Sequence, residues 1–230
     1  MPSFKSYDGT EITCTVLGRS TTAVVCLPGG PLRPPAYLGN LGGLEDYREL
    51  VLVSLPRRRL DSIVDDLEVL RAHLGQERLD LLGHSAGASL AMLYAATHPD
   101  HVSRLALVTP SLRAVWIPPT EEEMAAAETA RRDEDDGYEP AAGDVALYYA
   151  EGALDAAAVR EALRRLEAKA LVLLGGLDTQ TTPRMGRELA ALWPQATYVV
   201  LEGAGHFPWR DDPARCSAVL GEFFGPPQPA

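Results

Sequence analysis

Residues Leu79 to Leu82, apolar except for Asp80, run directly into Gly83-His84-Ser85-Ala86-Gly87, and a helical pattern of small and apolar residues leaves on the far side. A strand that turns sharply into a helix with a serine at the apex leaves the chain few ways to fold. Two residues either side of that serine, the backbone passes so close to its surroundings that only very small side chains fit, so Gly83 and Gly87 are required by geometry. The turn strains the serine backbone and lifts the hydroxyl clear of the sheet. It also aims the next N–H, that of Ala86, at the same space. The same letters also suit a glycine-rich phosphate loop, so the rest of the chain has to decide between the two.

The surrounding order is regular. Ser3 to Tyr7 and Glu11 to Leu17 flank Asp8-Gly9, a hairpin signal. Ala23 to Leu27, Leu50 to Leu55, Leu79 to Leu82 and Val102 to Val108 are apolar runs without alternation, as in strands buried on both faces. Between them, Ile63, Leu67, Leu70 and Leu74 form a helical stripe behind Ser62, a candidate N-cap, and Gly75 closes it. Ala86 to His98 is a helix ended by Pro99. This alternation predicts a parallel sheet with helices on both faces. It stops at 112–168, an Ala- and Glu-rich stretch read as two to four helices, with Val145 to Tyr149 as its one strand-like run. It resumes with a strand at 170–174, a helix from Pro183, a strand at 197–201 and a last helix opened by Asp212-Pro213. The expected division is therefore a core of 1–111 and 169–230 with a small helical cap of 112–168.

Composition narrows the function. A net charge of −11 and no basic stripe argue against nucleic acid and anionic membranes as partners. No window reaches the ~18 apolar residues of a membrane span, and Met1 to Lys5 open without a signal-length apolar stretch, so a cytoplasmic setting is expected. Cys14, Cys26 and Cys216 are odd in number and widely spaced, which indicates free buried thiols rather than a disulfide framework or a zinc site.

A serine nucleophile needs a base, and the base needs an orienting carboxylate. Active groups of open α/β sheets sit on loops after the strands. Gly175-Gly176-Leu177-Asp178 follows one strand and Glu202-Gly203-Ala204-Gly205-His206 another, giving Ser85, Asp178 and His206 in chain order. Asp155, Asp144 and Glu202 stand as alternative acids, and Asp178 has a competing use as a helix N-cap. The loop Pro28-Gly29-Gly30-Pro31 follows the first buried strand, and Gly30 is the expected second oxyanion donor beside Ala86.

With these pieces assembled, the chain resembles the α/β-hydrolase superfamily and, within it, the proline iminopeptidase-like branch, over nearly its whole length. The resemblance rests on Pro28-Gly29-Gly30-Pro31, Gly83-His84-Ser85-Ala86-Gly87, Gly175-Gly176-Leu177-Asp178 and Gly203-Ala204-Gly205-His206. It implies an oxyanion glycine, a nucleophile, an acid and a base at Gly30, Ser85, Asp178 and His206. Three departures weaken the peptidase assignment. The usual H-G-G-P-G lacks its histidine and last glycine, the elbow lacks the tryptophan of G-G-S-W-G, and Pro56 to Ser62 replaces D-x-R-G-x-G-x-S.

The expected activity is hydrolysis of an ester, lactone or amide of a small molecule, with no metal or organic cofactor implied. An aminopeptidase and a silent ligand-binding relative are the alternatives. Arg57 to Arg59 are read as solvated or as an attractor of anions at the mouth, and Asp133 to Asp136 as a solvated cap surface. His84 is expected to pack beneath the elbow. His73, His98 and His101 are expected to cap helix ends, with no metal spacing linking them. Trp116, Tyr148, Tyr149 and Trp209 are candidates for either pocket or packing. The sequence does not fix the oligomeric state.

Overall fold

The computed structural model describes residues 2–19, 22–130 and 138–225. An eight-stranded sheet runs in the order β1-β2-β4-β3-β5-β6-β7-β8. β1 (Ser3–Lys5) and β2 (Glu11–Leu17) form the hairpin, with Phe4 opposite Ile12. β2 is antiparallel to β4 (Glu49–Val53). β4, β3 (Ala23–Leu27), β5 (Leu79–His84), β6 (Val102–Val108), β7 (Lys169–Gly175) and β8 (Ala196–Leu201) are all parallel.

The unalternating apolar runs have a simple cause. Every residue of β3 is buried, and successive side chains enter different cores. Val25 and Leu27 pack with α1 (Leu60–His73), α2 (Ala86–Thr97), α5 (Ala156–Arg165) and α6 (Pro183–Ala190). Val24 and Cys26 pack on the opposite face with α8 (Pro213–Phe224) and the short 3-10 turns Pro35–Leu38 and Leu44–Asp46. Asp80, the charged residue in the β5 run, is buried against Arg48, whose Nη2 lies 2.6 Å from its Oδ2. A buried carboxylate without such a partner would be strongly destabilising.

Two local expectations change. Helix α1 begins at Leu60, not behind Ser62, because buried Leu60 already belongs to the core. Arg59 occupies the N-cap without a side-chain capping bond, and Asp61 Oδ1 accepts the Ser62 N–H at 3.0 Å. The strand-like run Val145 to Tyr149 is the end of a helix, with Tyr148 buried. Among the described residues, the stretch between β6 and β7 holds α3 (Glu121–Ala130), α4 (Ala142–Tyr148) and α5, and no strand. Asp133 to Asp136 lie outside the described residues.

Other signals match their elements. Asp212 caps α8 by accepting from Arg215 N at 3.2 Å, with Pro213 at the first position. Thr182 caps α6 ahead of Pro183. The three cysteines are free and buried, and burial pushes the Cys14 thiol up to about 11. Burial, helped by the charge of Asp212, takes Cys216 to about 12.

Candidate active site

Ser85 stands between β5 and α2 with φ 50° and ψ −118°. This is a strained conformation for a residue with a side chain, worth roughly 1–3 kcal/mol. Its backbone is held from both sides, since its N–H donates to Val108 O at 3.1 Å and its carbonyl accepts from Ser111 N at 2.9 Å. The flanking glycines allow the close approach. A Cβ on Gly83 would lie 2.6 Å from Ala88 Cα, and one on Gly87 would overlap the Leu27 carbonyl oxygen. Ala86 opens α2, so its N–H is among the first-turn donors with no intrahelical partner. Such N–H groups, at the positive end of a helix, suit a developing anion.

Asp178 and His206 come from the loops after β7 and β8, and both are buried. Asp178 Oδ2 lies 3.0 Å from His206 Nδ1. Its Oδ1 accepts the N–H groups of Gln180 at 2.8 Å and Thr181 at 3.1 Å, so the carboxylate is fixed at both oxygens. The carboxylate only accepts, which places the His206 proton on Nδ1 and leaves the lone pair on Nε2. Of the alternative acids, Asp155 caps α5 and Asp144 pairs with Arg57 at 2.6 Å. Asp178 is therefore the carboxylate that meets His206. The N-cap role it competed for belongs to Thr182.

A polar chain behind this pair has no counterpart in the sequence reading. His84, packed beneath the elbow, meets Tyr37 Oη at 2.7 Å through Nδ1 and the His206 carbonyl at 3.1 Å through Nε2. Nε2 therefore donates and Nδ1 accepts. Burial, the neighbouring His206 and two arginines, Arg33 and Arg210, push the His84 pKa well below its ordinary value, against the pull of the His206 carbonyl. Tyr37 Oη also accepts the Gly29 N–H at 2.5 Å. The loop carrying Gly30 and the backbone of His206 are thus joined through Tyr37 and His84. Thr109, at the end of β6, adds a second donor to the His206 carbonyl at 2.9 Å. Leu32 stands where the resembled motif has its last glycine, and it adopts φ 63°.

Ser85, Ala86, Gly30 and His206 line one cleft of about 1730 Å³. Leu112, Ile117, Pro118, Tyr149 and Met185 supply apolar wall, and Trp116, 72% exposed, stands at its rim. Tyr148 and Trp209 are packing residues; the Trp209 ring meets His84 edge-on at 4.8 Å. Arg57, Arg58 and Arg59 are absent from the cleft lining. Arg57 pairs with Asp144, Arg58 with Asp8 and Asp66, and Arg59 with Asp61 and the Glu151 carbonyl. Two of the three thus fasten the inserted helices to the sheet.

Comparison with known proteins agrees with this architecture. The model of the alpha/beta hydrolase fold family matches residues 18–145. The tripeptidyl aminopeptidase of Streptomyces lividans is 38% identical over 65 residues, a match that takes in 27% of this chain and spans only 12% of that protein. A proline iminopeptidase of Heyndrickxia coagulans is 23% identical over 88% of this chain and 90% of its own. Among solved structures, a thermophilic esterase from Thermogutta terrifontis superposes with a TM-score of 0.70 at 22% identity, covering 97% of this chain and 98% of its own. No helix among the described residues is long and apolar enough to cross a membrane. The chain belongs to the α/β-hydrolase fold family.

Proposed function

We propose that the protein is a serine hydrolase that cleaves a small ester through an acyl-enzyme. The observation that carries this reading is the buried Asp178–His206 pair at 3.0 Å, whose imidazole lines the same cleft as a serine held at φ 50°. In this reading His206 Nε2 takes the Ser85 proton as Oγ attacks the carbonyl carbon. The N–H groups of Ala86 and Gly30 receive the oxyanion, and the imidazolium returns its proton to the leaving alkoxide. Water, activated by the same imidazole, then releases the acid. Asp178 holds the tautomer and stabilises the imidazolium. Residues 112–168 act as the cap that shapes the substrate side, and the remainder is the hydrolase core.

The cleft favours an ester over an aminopeptidase substrate. A free amine beside the scissile bond needs a fixed carboxylate. Glu123 is taken by Arg184 at 2.5 Å and by Thr182. Among the described residues, the carboxylates that line the cleft, Glu128, Glu139 and Glu151, are exposed, where an ion pair is worth little.

A fluorophosphonate probe tests the mechanism. Covalent labelling is expected at Ser85 and lost in Ser85→Ala. An unlabelled, correctly folded wild type would leave a silent binding protein as the better reading.

A further inference from the structure

The far end of α2, opposite Ser85, carries a second cluster. Glu68 on α1, His98 at the C-terminal cap of α2 and His101 in the next turn come from different parts of the chain. One potential ligand atom from each lies within 4.8 Å of the others, and no other such trio of His, Cys, Asp or Glu occurs among the described residues. The two imidazoles lie with planes 3° apart and centroids 5.7 Å apart, and the Tyr94 ring meets His98 at 5.3 Å, tilted by 41°.

Glu68 is already oriented, with Arg71, Tyr94 and His101 all hydrogen-bonded to its Oε1. His101 Nδ1 lies 3.0 Å from its Oε1, and Arg71 Nε lies 3.1 Å from the same oxygen. His98 has the opposite character. Its Nε2 is buried with no hydrogen-bond partner. At least one ring nitrogen of His98 is therefore free for a cation.

We propose that Glu68, His98 and His101 form a binding site for a divalent transition-metal ion of the Zn²⁺ type. Two imidazoles and one carboxylate are a zinc-like donor set, whereas Ca²⁺ and Mg²⁺ prefer oxygen ligands throughout. Tetrahedral ligands about 2.1 Å from zinc stand roughly 3.4 Å from one another. The trio, within 4.8 Å, must therefore close by up to about 1.4 Å, within reach of the His101 side chain, which is 37% exposed. Tyr94 and Arg71 stay on the carboxylate as outer partners that fix its orientation. The Arg71 charge weakens the site relative to a closed four-ligand one. Because Glu68 only accepts, His101 Nδ1 now carries a proton. Coordination through Nδ1 requires the tautomer with the proton on Nε2.

The metal would clamp α1 to the end of the helix that starts at Ser85. Twelve residues of α2 separate the two sites, about 18 Å at a rise of ~1.5 Å per residue, so the ion takes no part in the proposed hydrolysis.

The test is Zn²⁺ titration of tag-free protein by calorimetry, with a thermal melt alongside. Wild type and Ser85→Ala should each bind one ion and melt higher with it. His98→Ala and His101→Ala should each bind at least tenfold more weakly and lose the thermal gain. Glu68→Gln, nearly the same shape, serves as the third arm and should weaken binding likewise. A metal-free melt identifies any variant that fails to fold. The proposal is overturned if wild type binds no Zn²⁺, or if any folded variant of the three retains affinity within threefold.

Discussion

At the residue scale, the meeting of Asp178 and His206 and the placing of Ser85 in the same cleft were legible, because each residue follows an apolar run in a glycine-containing turn, and sheet geometry sends such turns to one edge. Tyr37 and Thr109 were not. Tyr37 lies in a Gly- and Leu-rich stretch that folds as 3-10 turns without periodicity, and Thr109 meets His206 only because β6 lies between β5 and β7. Tyr37→Phe should deprive Gly29 N–H and His84 Nδ1 of their partner together, costing about 1–3 kcal/mol of stability. Ester-hydrolysis kinetics should show kcat down at least tenfold with KM nearly unchanged, since the lost hydroxyl positions the base and the oxyanion loop and lies outside the substrate surface. An unaltered kcat in a folded variant would remove Tyr37 from the machinery. His84 makes a second prediction. Its pKa is depressed in the folded state, so unfolding takes up a proton once the pH drops below the ordinary value of 6.5. Stability contributed by keeping it neutral is complete above that pH and is lost on acidification, at up to ~1.4 kcal/mol per pH unit. Urea midpoints between pH 7.5 and 5 should fall more steeply for wild type than for His84→Asn.

At the scale of elements, α5 is packed into the core, whereas α3 and α4 also carry polar ties to the elements around them. Arg184 on α6 reaches Glu123 on α3, and Arg57 reaches Asp144 on α4. The presence of helices such as α3, α4 and α5 in this stretch was readable from its composition, but these ties were not, because they join residues 61 and 87 positions apart. The Arg184 and Thr182 hydrogen bonds outweigh desolvation and hold Glu123 down to about 2, against an ordinary 4.5. Its pairing therefore stabilises fully above pH 4.5 and is lost as the pH falls toward 2. Arg184→Met should free α3 from α6. Limited proteolysis at pH 7 should then cut within 121–130 several times faster, with little change in the urea midpoint of the core. Equal cleavage rates in the two proteins would show that α3 is held by other contacts. The Glu68, His98 and His101 trio was unreadable for a similar reason: it depends on α1 lying beside the end of α2.

For the whole molecule, the cleft decides which substrates fit. Its lining combines apolar and aromatic side chains with Arg33, Arg113 and Gln180, its carboxylates among the described residues are exposed, and the elbow lacks the tryptophan of the resembled peptidases. Short-chain p-nitrophenyl esters, acetate to butyrate, should therefore exceed proline p-nitroanilide by at least tenfold in kcat/KM, about 1.4 kcal/mol of transition-state discrimination. A faster anilide would reverse the substrate assignment while leaving the serine chemistry in place. The connection from Val108 to Lys169 that builds much of this cleft is several times longer than the dozen residues a parallel crossover requires. The surplus hangs outside the sheet, and the residues assigned to bond cleavage all lie before or after it. Inheritance can then rewrite the guest while keeping the reaction. A lineage of such chains can trade one crossover for another and acquire new substrates without re-evolving the catalytic edge.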